Sequence, residues 1–343
     1  MNSVEYVSLS CTKFQRHLSL PFTFASVLYA FAPEFSLKSN CLARHRYLRH
    51  DVLMRLLYLL LLNLLPFAVA EDKPAPLPAL NQPQYRGELP TDIIKECSGL
   101  ARSRRHTAQP VFWTHNDSGE GAELFAIDGE GALLRRVKIP DATNVDWEDI
   151  CIDDKGRVIV ADIGDNLKKR RVFTLYRFSE PSATNEDEKV TEPQVLNYRY
   201  PRGQGPYDAE ALFAFGGDAY LFTKDPTRTR LYKLPLPPVV RHGETLEAEF
   251  IAESNTFATV TGAAISHDGK HIALINYLTI LVLDLPGPLD KLPGGPATLF
   301  DAPRRVRLAL LGQTEAVTFD RTDLMIATEG GSLYRMKDVF SDK

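Results

Sequence analysis

The feature that most constrains this chain is an internal repeat. A hairpin unit recurs five times after residue 90: a strand, a turn, and a second strand that ends in polar residues. The copies are CSGLARS with VFWTHNDSG, DWEDICIDDKGRVIVADIGDN, DAEALFAFGGDAYLFTKDP, TGAAISHDGKHIALINY and TEAVTFDRTDLMIATEGG. Aligning them puts Ser98, Glu148, Glu210, Gly262 and Glu315 in one column, at steps of 50, 62, 52 and 53 residues. The longest step holds an acidic insertion over 182–194, read as an exposed loop. A third strand follows each hairpin (ELFAID, VFTLYRF, TRLYKLPL, ILVLDLP, SLYRM), and a fourth follows four of them (LLRRVKI, QVLNYRY, EAEFIAE, PATLF). Four strands per repeat of roughly 50 residues is the pattern of a propeller blade. The chain is therefore expected to be an all-β, five-bladed β-propeller, or six-bladed if one blade is wrongly divided. The fifth copy lacks its outer strand. The N-terminal strand near 84–89 is expected to supply it, closing the ring and hiding two sheet edges. A β-sandwich would leave five copies in register unexplained.

Composition narrows the class. The chain has 343 residues, 44% apolar and 24% charged, with a net charge of −4. That is ordinary globular usage and excludes a disordered chain, a collagen and a coiled coil. The charge excludes nucleic acid and an anionic membrane surface as main partners. At the N-terminus, Met54-Arg55 precedes the apolar run LLYLLLLNLLPF, and Ala68-Val69-Ala70 follows it. Positive n-region, apolar h-region and A-x-A site together read as a secretory signal peptide over 54–70. The run is too short for a membrane span, so none is expected after cleavage. The expected location is periplasmic or extracellular. Residues 1–53 read as a start-site misassignment or a disordered extension, 71–83 as a Pro-rich linker, and 84–343 as a single propeller, expected to be a monomer. Of four cysteines, Cys97 and Cys151 follow the signal. They are read either as one disulfide, which needs Cα atoms within about 7 Å, or as two buried thiols.

Propeller geometry decides which residues meet. The first strand of each blade lines the channel, and the second runs antiparallel beside it. The start of the first and the end of the second therefore share one mouth. This places Ser98, Glu148, Glu210, Gly262 and Glu315 together. Around them stand His115-Asn116-Asp117, Asp162 with Asp165-Asn166, Lys224-Asp225, Asn276-Tyr277 and Glu329. Carboxylates facing a narrow channel cannot stay ionised and unpaired without a large cost. They take up protons, find cations, or hold a metal. A hard cation with oxygen ligands suits this set, and Ca2+ suits an exported protein. Ser98 offers a hydroxyl and Gly262 a backbone carbonyl. The alternative is that each Glu bonds the backbone amides of the next blade. No His/Cys set has zinc spacing. Trp147 is read as packing between blades, and DGEG, DDKG and HDGK as hairpin turns far from the mouth.

The order Ser, Glu, Glu, small, Glu, one per blade, resembles the calcium-activated apyrases. CSGL, NDSG and a V-x-x-x-G-D string after the first Glu add to the likeness, which runs over 96–329 as a pattern of repeats. The resemblance implies a secreted five-bladed propeller with a central Ca2+ held by the column. Gly262 stands where that family has Ser, and its phosphate-binding arginines have only Arg171 and Lys224 as candidates here. The strings WTHNDSG, DWEDI and DIGDN also resemble a group of exported bacterial propeller proteins, which implies fold and export but no substrate.

Two functions follow. One is a Ca2+-dependent hydrolase acting on a phosphoester, phosphoanhydride or ester at the mouth. In it Asp117 or Asp165 orients water, His115 is a candidate base, and Asn116, Asp162, Asn166, Arg171 and Lys224 contact substrate. The other is a non-catalytic module that binds a glycan, peptide or envelope ligand, with Ca2+ as a structural staple. Converging Arg and Lys groups at the mouth would mark the phosphate enzyme.

Overall fold

Inner and outer strands of this chain have different sequences, and the difference follows from their neighbours. The computed structural model describes residues 80–241, 243–292, 295–301 and 304–340, all in one unit, Lys73–Lys343. The expected extension, signal peptide and residues 71–79 of the linker lie outside the described residues. The first strand, β1, is Gln84–Glu88. Blade 1 follows with β2 (Cys97–Arg102), β3 (Val111–Asn116), β4 (Glu123–Asp128) and β5 (Leu133–Lys138). Blade 2 holds β6 (Trp147–Ile152), β7 (Arg157–Asp162), β8 (Phe173–Ser179) and β9 (Gln194–Arg199). Blade 3 holds β10 (Ala209–Phe215), β11 (Asp218–Thr223) and β12 (Thr229–Pro235); after β13 (Thr245–Glu247) it is completed by β14 (Glu249–Ser254). Blade 4 is β15 (Gly262–Ile265), β16 (His271–Ile275), β17 (Thr279–Asp284) and β18 (Arg304–Leu308). Blade 5 is β19 (Thr314–Asp320), β20 (Asp323–Thr328) and β21 (Ser332–Met336).

The inner strands β2, β6, β10, β15 and β19 neighbour one another in that order, and β19 returns to β2. The ring therefore closes at five blades. Strands near the centre are covered on both faces by adjoining blades. Their apolar runs are accordingly continuous: every residue of β3 and β19 is buried. The outer strands β5 and β9 have one wet face, and there buried residues alternate with exposed ones. The core lies between blades, where Trp113 and Trp147 are fully buried. The ring is sealed as expected. β1 pairs antiparallel with β21, from Gln84 opposite Arg335 to Glu88 opposite Ser332.

Two features differ from the expectations, and a third adds to one of them. PATLF is not a strand. Pro296–Asp301 forms a 3-10 helix, and the outer strand of blade 4 is β18, paired with β17. Pro296 has no N–H to give a ladder and a φ suited to a helical first turn. Blade 2 has a fifth strand, because β13 leaves blade 3 to pair parallel with β9. The 182–194 segment is tethered: Arg135 donates to the carbonyls of Ser182, Glu186 and Glu188, and Arg105 pairs with Glu188 at 2.6 Å. The segment is otherwise an exposed loop, as expected, with 184–187 and 191–192 open to solvent.

Closure depends on a tight fit. Arg86 sits at an irregularity in β1, and a side chain at Gly87 would run into the carbonyl oxygen of Glu130 in the blade 1 turn. Gly87→Val is therefore expected to cost about 1–3 kcal/mol in urea unfolding, as overpacking does. It should also speed proteolysis within 84–89. An unchanged midpoint with unchanged proteolysis would show that the seal carries no stability.

Candidate metal centre

Four of the five column residues stand at β-bulges. The β2–β3 register skips Ser98, β6–β7 skips Glu148, β10–β11 skips Glu210, and β19–β20 skips Glu315. A bulge inserts one unpaired residue and re-aims its side chain. The repeated bulge is how four separate strands deliver side chains to one point. Blade 4 differs: Gly262 pairs regularly with Ile275 and its strand has no bulge. A Cβ at Gly262 would come within 2.6 Å of the Glu315 carbonyl oxygen. Blade 4 contributes Tyr277 instead, whose hydroxyl donates to Glu315 at 3.3 Å.

The column collects further acids. Glu148, Asp208 and Glu210 have carboxylate oxygens within 4.8 Å of one another, as do Asp117, Asp146 and Glu148. Glu148 belongs to both groups. Asp146 and Asp208 were missed in the sequence, although each stands two residues before a column Glu, as D-x-E. Ser98 donates to the Glu148 carbonyl at 2.8 Å and lies 3.5 Å from its carboxylate. Gly164, in the DIGDN string, lets the backbone approach this group. A Cβ there would clash with Glu148 and lie 2.5 Å from Asp146 Oδ2.

A cation lies within the ring. The Lys224 ammonium bonds Glu210 and sits 5.3 Å over the Tyr277 ring. The remaining negative charge is poorly compensated. Burial raises Asp117 to about 7 and Asp146 to about 6, and repulsion from neighbouring acids adds to both. Burial, then repulsion from Glu210, holds Glu148 and Glu315 well above the usual carboxylate range. Burial also pushes Asp208 up. It raises Glu210 as well, against the pull of Lys224.

The other expected residues sit around this group rather than in it. Asp162 is ion-paired to Arg170 at 2.7 Å and accepts from the Val145 and Asp146 amides, so it holds the bend before β6 that carries Asp146. Asp165 caps the Lys169 and Arg170 amides, and its own N–H donates to Asp208 at 2.8 Å. Asn116 is buried and clamps the Lys95 and Glu96 amides and the Ile93 carbonyl. His115 is fully buried, opposite Gly99 and edge-on to Trp147 at 5.7 Å. Burial lowers it to about 4, so it is neutral, and it is not brought to the mouth. Asn166 and Arg171 are exposed. The guanidinium that turns inward is that of Arg170. Asp149, to which the sequence reading gave no role, bonds the Ile150 and Leu212 amides at 2.8 and 2.7 Å and ties β6 to β10. Cys97 and Cys151 are free thiols; burial pushes Cys97 up to about 12.

No protein-family model and no curated protein matches this chain. It is similar to solved propellers. One is a gluconolactonase from Xanthomonas campestris, at 14% identity over 77% of this chain and 98% of that one, with a TM-score of 0.40. Another is a putative gluconolactonase, at 12% identity over 76% and 93%, with a TM-score of 0.41.

The raised carboxyls bind protons more tightly in the folded chain than in the unfolded one. The stability they add is complete below the ordinary carboxylate range and is lost as pH rises through 6 and 7, the values of Asp146 and Asp117. In EDTA, the thermal midpoint is therefore expected to fall between about pH 5 and pH 8. Excess Ca2+ should flatten that slope, because a cation then replaces the protons. A midpoint independent of pH in EDTA would mean that the acids are compensated within the fold.

Proposed function

We propose that the acidic mouth holds a divalent cation, Ca2+, and that the protein is an exported, metal-dependent hydrolase of an ester substrate. The observation that carries this reading is the double membership of Glu148 in two carboxylate triads, drawn from three blades. Such a set of oxygen donors fits a hard cation, and Ca2+ takes six to eight of them. Export rests on the signal-like segment 54–70 and the Ala68-Val69-Ala70 site. Among the described residues, no helix is long and apolar enough to cross a membrane.

Glu148, Asp208 and Glu210 would hold the ion from within the channel, with Asp117 and Asp146 on its more exposed side. When bound, the cation supplies Lewis acidity toward a substrate oxygen. Asp117 then orients a water and takes its proton. Lys224 fixes Glu210, and Tyr277 fixes Glu315. Asp162 and Asp165 position the acids through their backbone. Phosphate recognition needs two or more converging cations free to bind it. Among the described residues, Lys224 and Arg170 are each bonded to a carboxylate, which leaves the exposed Lys168, acting on Asp208, as a single further cation beside this group. That favours a carboxylic ester over a phosphoester or phosphoanhydride.

Thermal unfolding of the full chain in EDTA and in Ca2+ tests the ion. At a hundredfold excess over the dissociation constant, binding should stabilise the parent by about 2.7 kcal/mol. Glu148→Gln/Asp208→Asn should abolish that gain. No gain in the parent would overturn the metal site. Ester hydrolysis tests the chemistry: Asp117→Asn is expected to lower kcat about 100- to 10,000-fold while a reduced Ca2+ shift remains from the Glu148, Asp208 and Glu210 set. A Ca2+ shift with no turnover across an ester panel would instead assign the mouth to ligand binding, with the ion as a staple.

A further inference from the structure

A cavity lies away from the acidic mouth. It opens at the other end of the channel and has a volume of about 470 Å3. Asp149, bonded to the Ile150 and Leu212 amides across two inner strands, stands between the two ends. The cavity walls come from all five inner strands: Ala101 from β2, Ile150 from β6, Phe213 from β10, Ala264 from β15 and Phe319 from β19. Alanine at two of these positions leaves room where a larger side chain would fill the channel. The volume falls within the roughly 300–1,000 Å3 of small-molecule sites. Its wall is largely apolar, and removing that surface from water favours an apolar occupant.

The rim has the opposite sign to the acidic mouth. Arg102, Arg104, Arg321 and Asp320 all line the cavity. Asp320 is neutralised by Arg102 at 3.0 Å and by Arg335 at 3.1 Å. Arg104 and Arg321 enter no ion pair among the described residues, so the rim carries two uncompensated guanidinium groups. An apolar chamber with a cationic entrance selects for a particular shape of ligand. We infer that this end of the channel is a second binding site, for a small amphipathic anion whose apolar body fills the cavity and whose carboxylate or sulfonate head meets Arg104 and Arg321.

The inference does not depend on the acidic mouth, and its test separates the two. The probes are 8-anilinonaphthalene-1-sulfonate and its uncharged counterpart N-phenyl-1-naphthylamine, titrated by fluorescence into the full chain. The sulfonate is expected to saturate at one site per chain. Arg104→Ala/Arg321→Ala should weaken it at least tenfold and change the uncharged probe less than twofold. Ala264→Phe should weaken both probes by filling the cavity. Glu148→Gln/Asp208→Asn, at the other end, should leave both titrations as in the parent. If Ala264→Phe fails to fold, the rim variant still decides, because Arg321 is exposed and Arg104 is only part-buried. Sulfonate binding that is unsaturable, or equal in the parent and the rim variant, would overturn the site.

Discussion

Like charges buried together are the constraint around which this structure is arranged. Glu148 lies within 4.8 Å of acids from blades 1 and 3 as well as its own Asp146. Such a group is costly unless protons or cations accompany it. The fold nevertheless builds it with some insistence. A bulge in each of four inner strands aims a residue inward, Gly164 gives up its side chain to let the backbone come close, and Asp165 spends its amide on Asp208. A channel meant only to be filled would be simpler with leucine or valine at these positions. Lys224 offsets one charge and leaves the others. The surplus is the physical reason to look for an ion here, and the closed ring is what makes the surplus tolerable, since no blade can swing away to relieve it.

Much of this was legible in the sequence, for a specific reason. The inner and second strands of every blade sit in nearly the same environment, so their apolar runs and terminal turns recur with one period. The bulge recurs with them, and Ser98, Glu148, Glu210 and Glu315 therefore aligned. The N-terminal seal was legible because the fifth copy was short of one strand. What failed was what does not repeat. PATLF has strand-like composition, but Pro296 turns it into a helix and passes the edge to the strand that follows. β13 crosses to blade 2 by a pairing that no local pattern announces.

The site residues divide in the same way. Asp146 and Asp208 were visible as D-x-E, but the bulge hid their partnership with the column, because simple alternation takes no account of an inserted residue. Arg170 and Arg171 are adjacent, and only the turn after β7, with Lys168 at φ 52°, decides which one faces Asp162. His115 stands in a polar run at the end of β3, which suggested the mouth. Its register opposite Gly99 sends the ring into the space a Cβ would have taken, between blades 1 and 2. There burial keeps it neutral, and its contact with Trp147 makes it part of the packing.

The two ends of the channel differ for a reason that lies in the inner strands themselves. Each strand begins at the acidic mouth and finishes at the opposite rim, so its first residues and its last meet different solvents. The first positions carry Glu148, Glu210 and Glu315. The last positions but one carry small residues, Ala101, Ala214 and Ala264, which line the widened end. Asp149 sits at the transition, and its bonds to backbone amides of two blades keep the acids from opening into the cavity. Field and volume are thereby separated along one axis. The end with the charge gathers carboxylate oxygens within 4.8 Å of one another, which suits an ion. The end with the space has little negative charge, which suits an apolar body. One repeated strand, read from its start to its finish, is enough to build both.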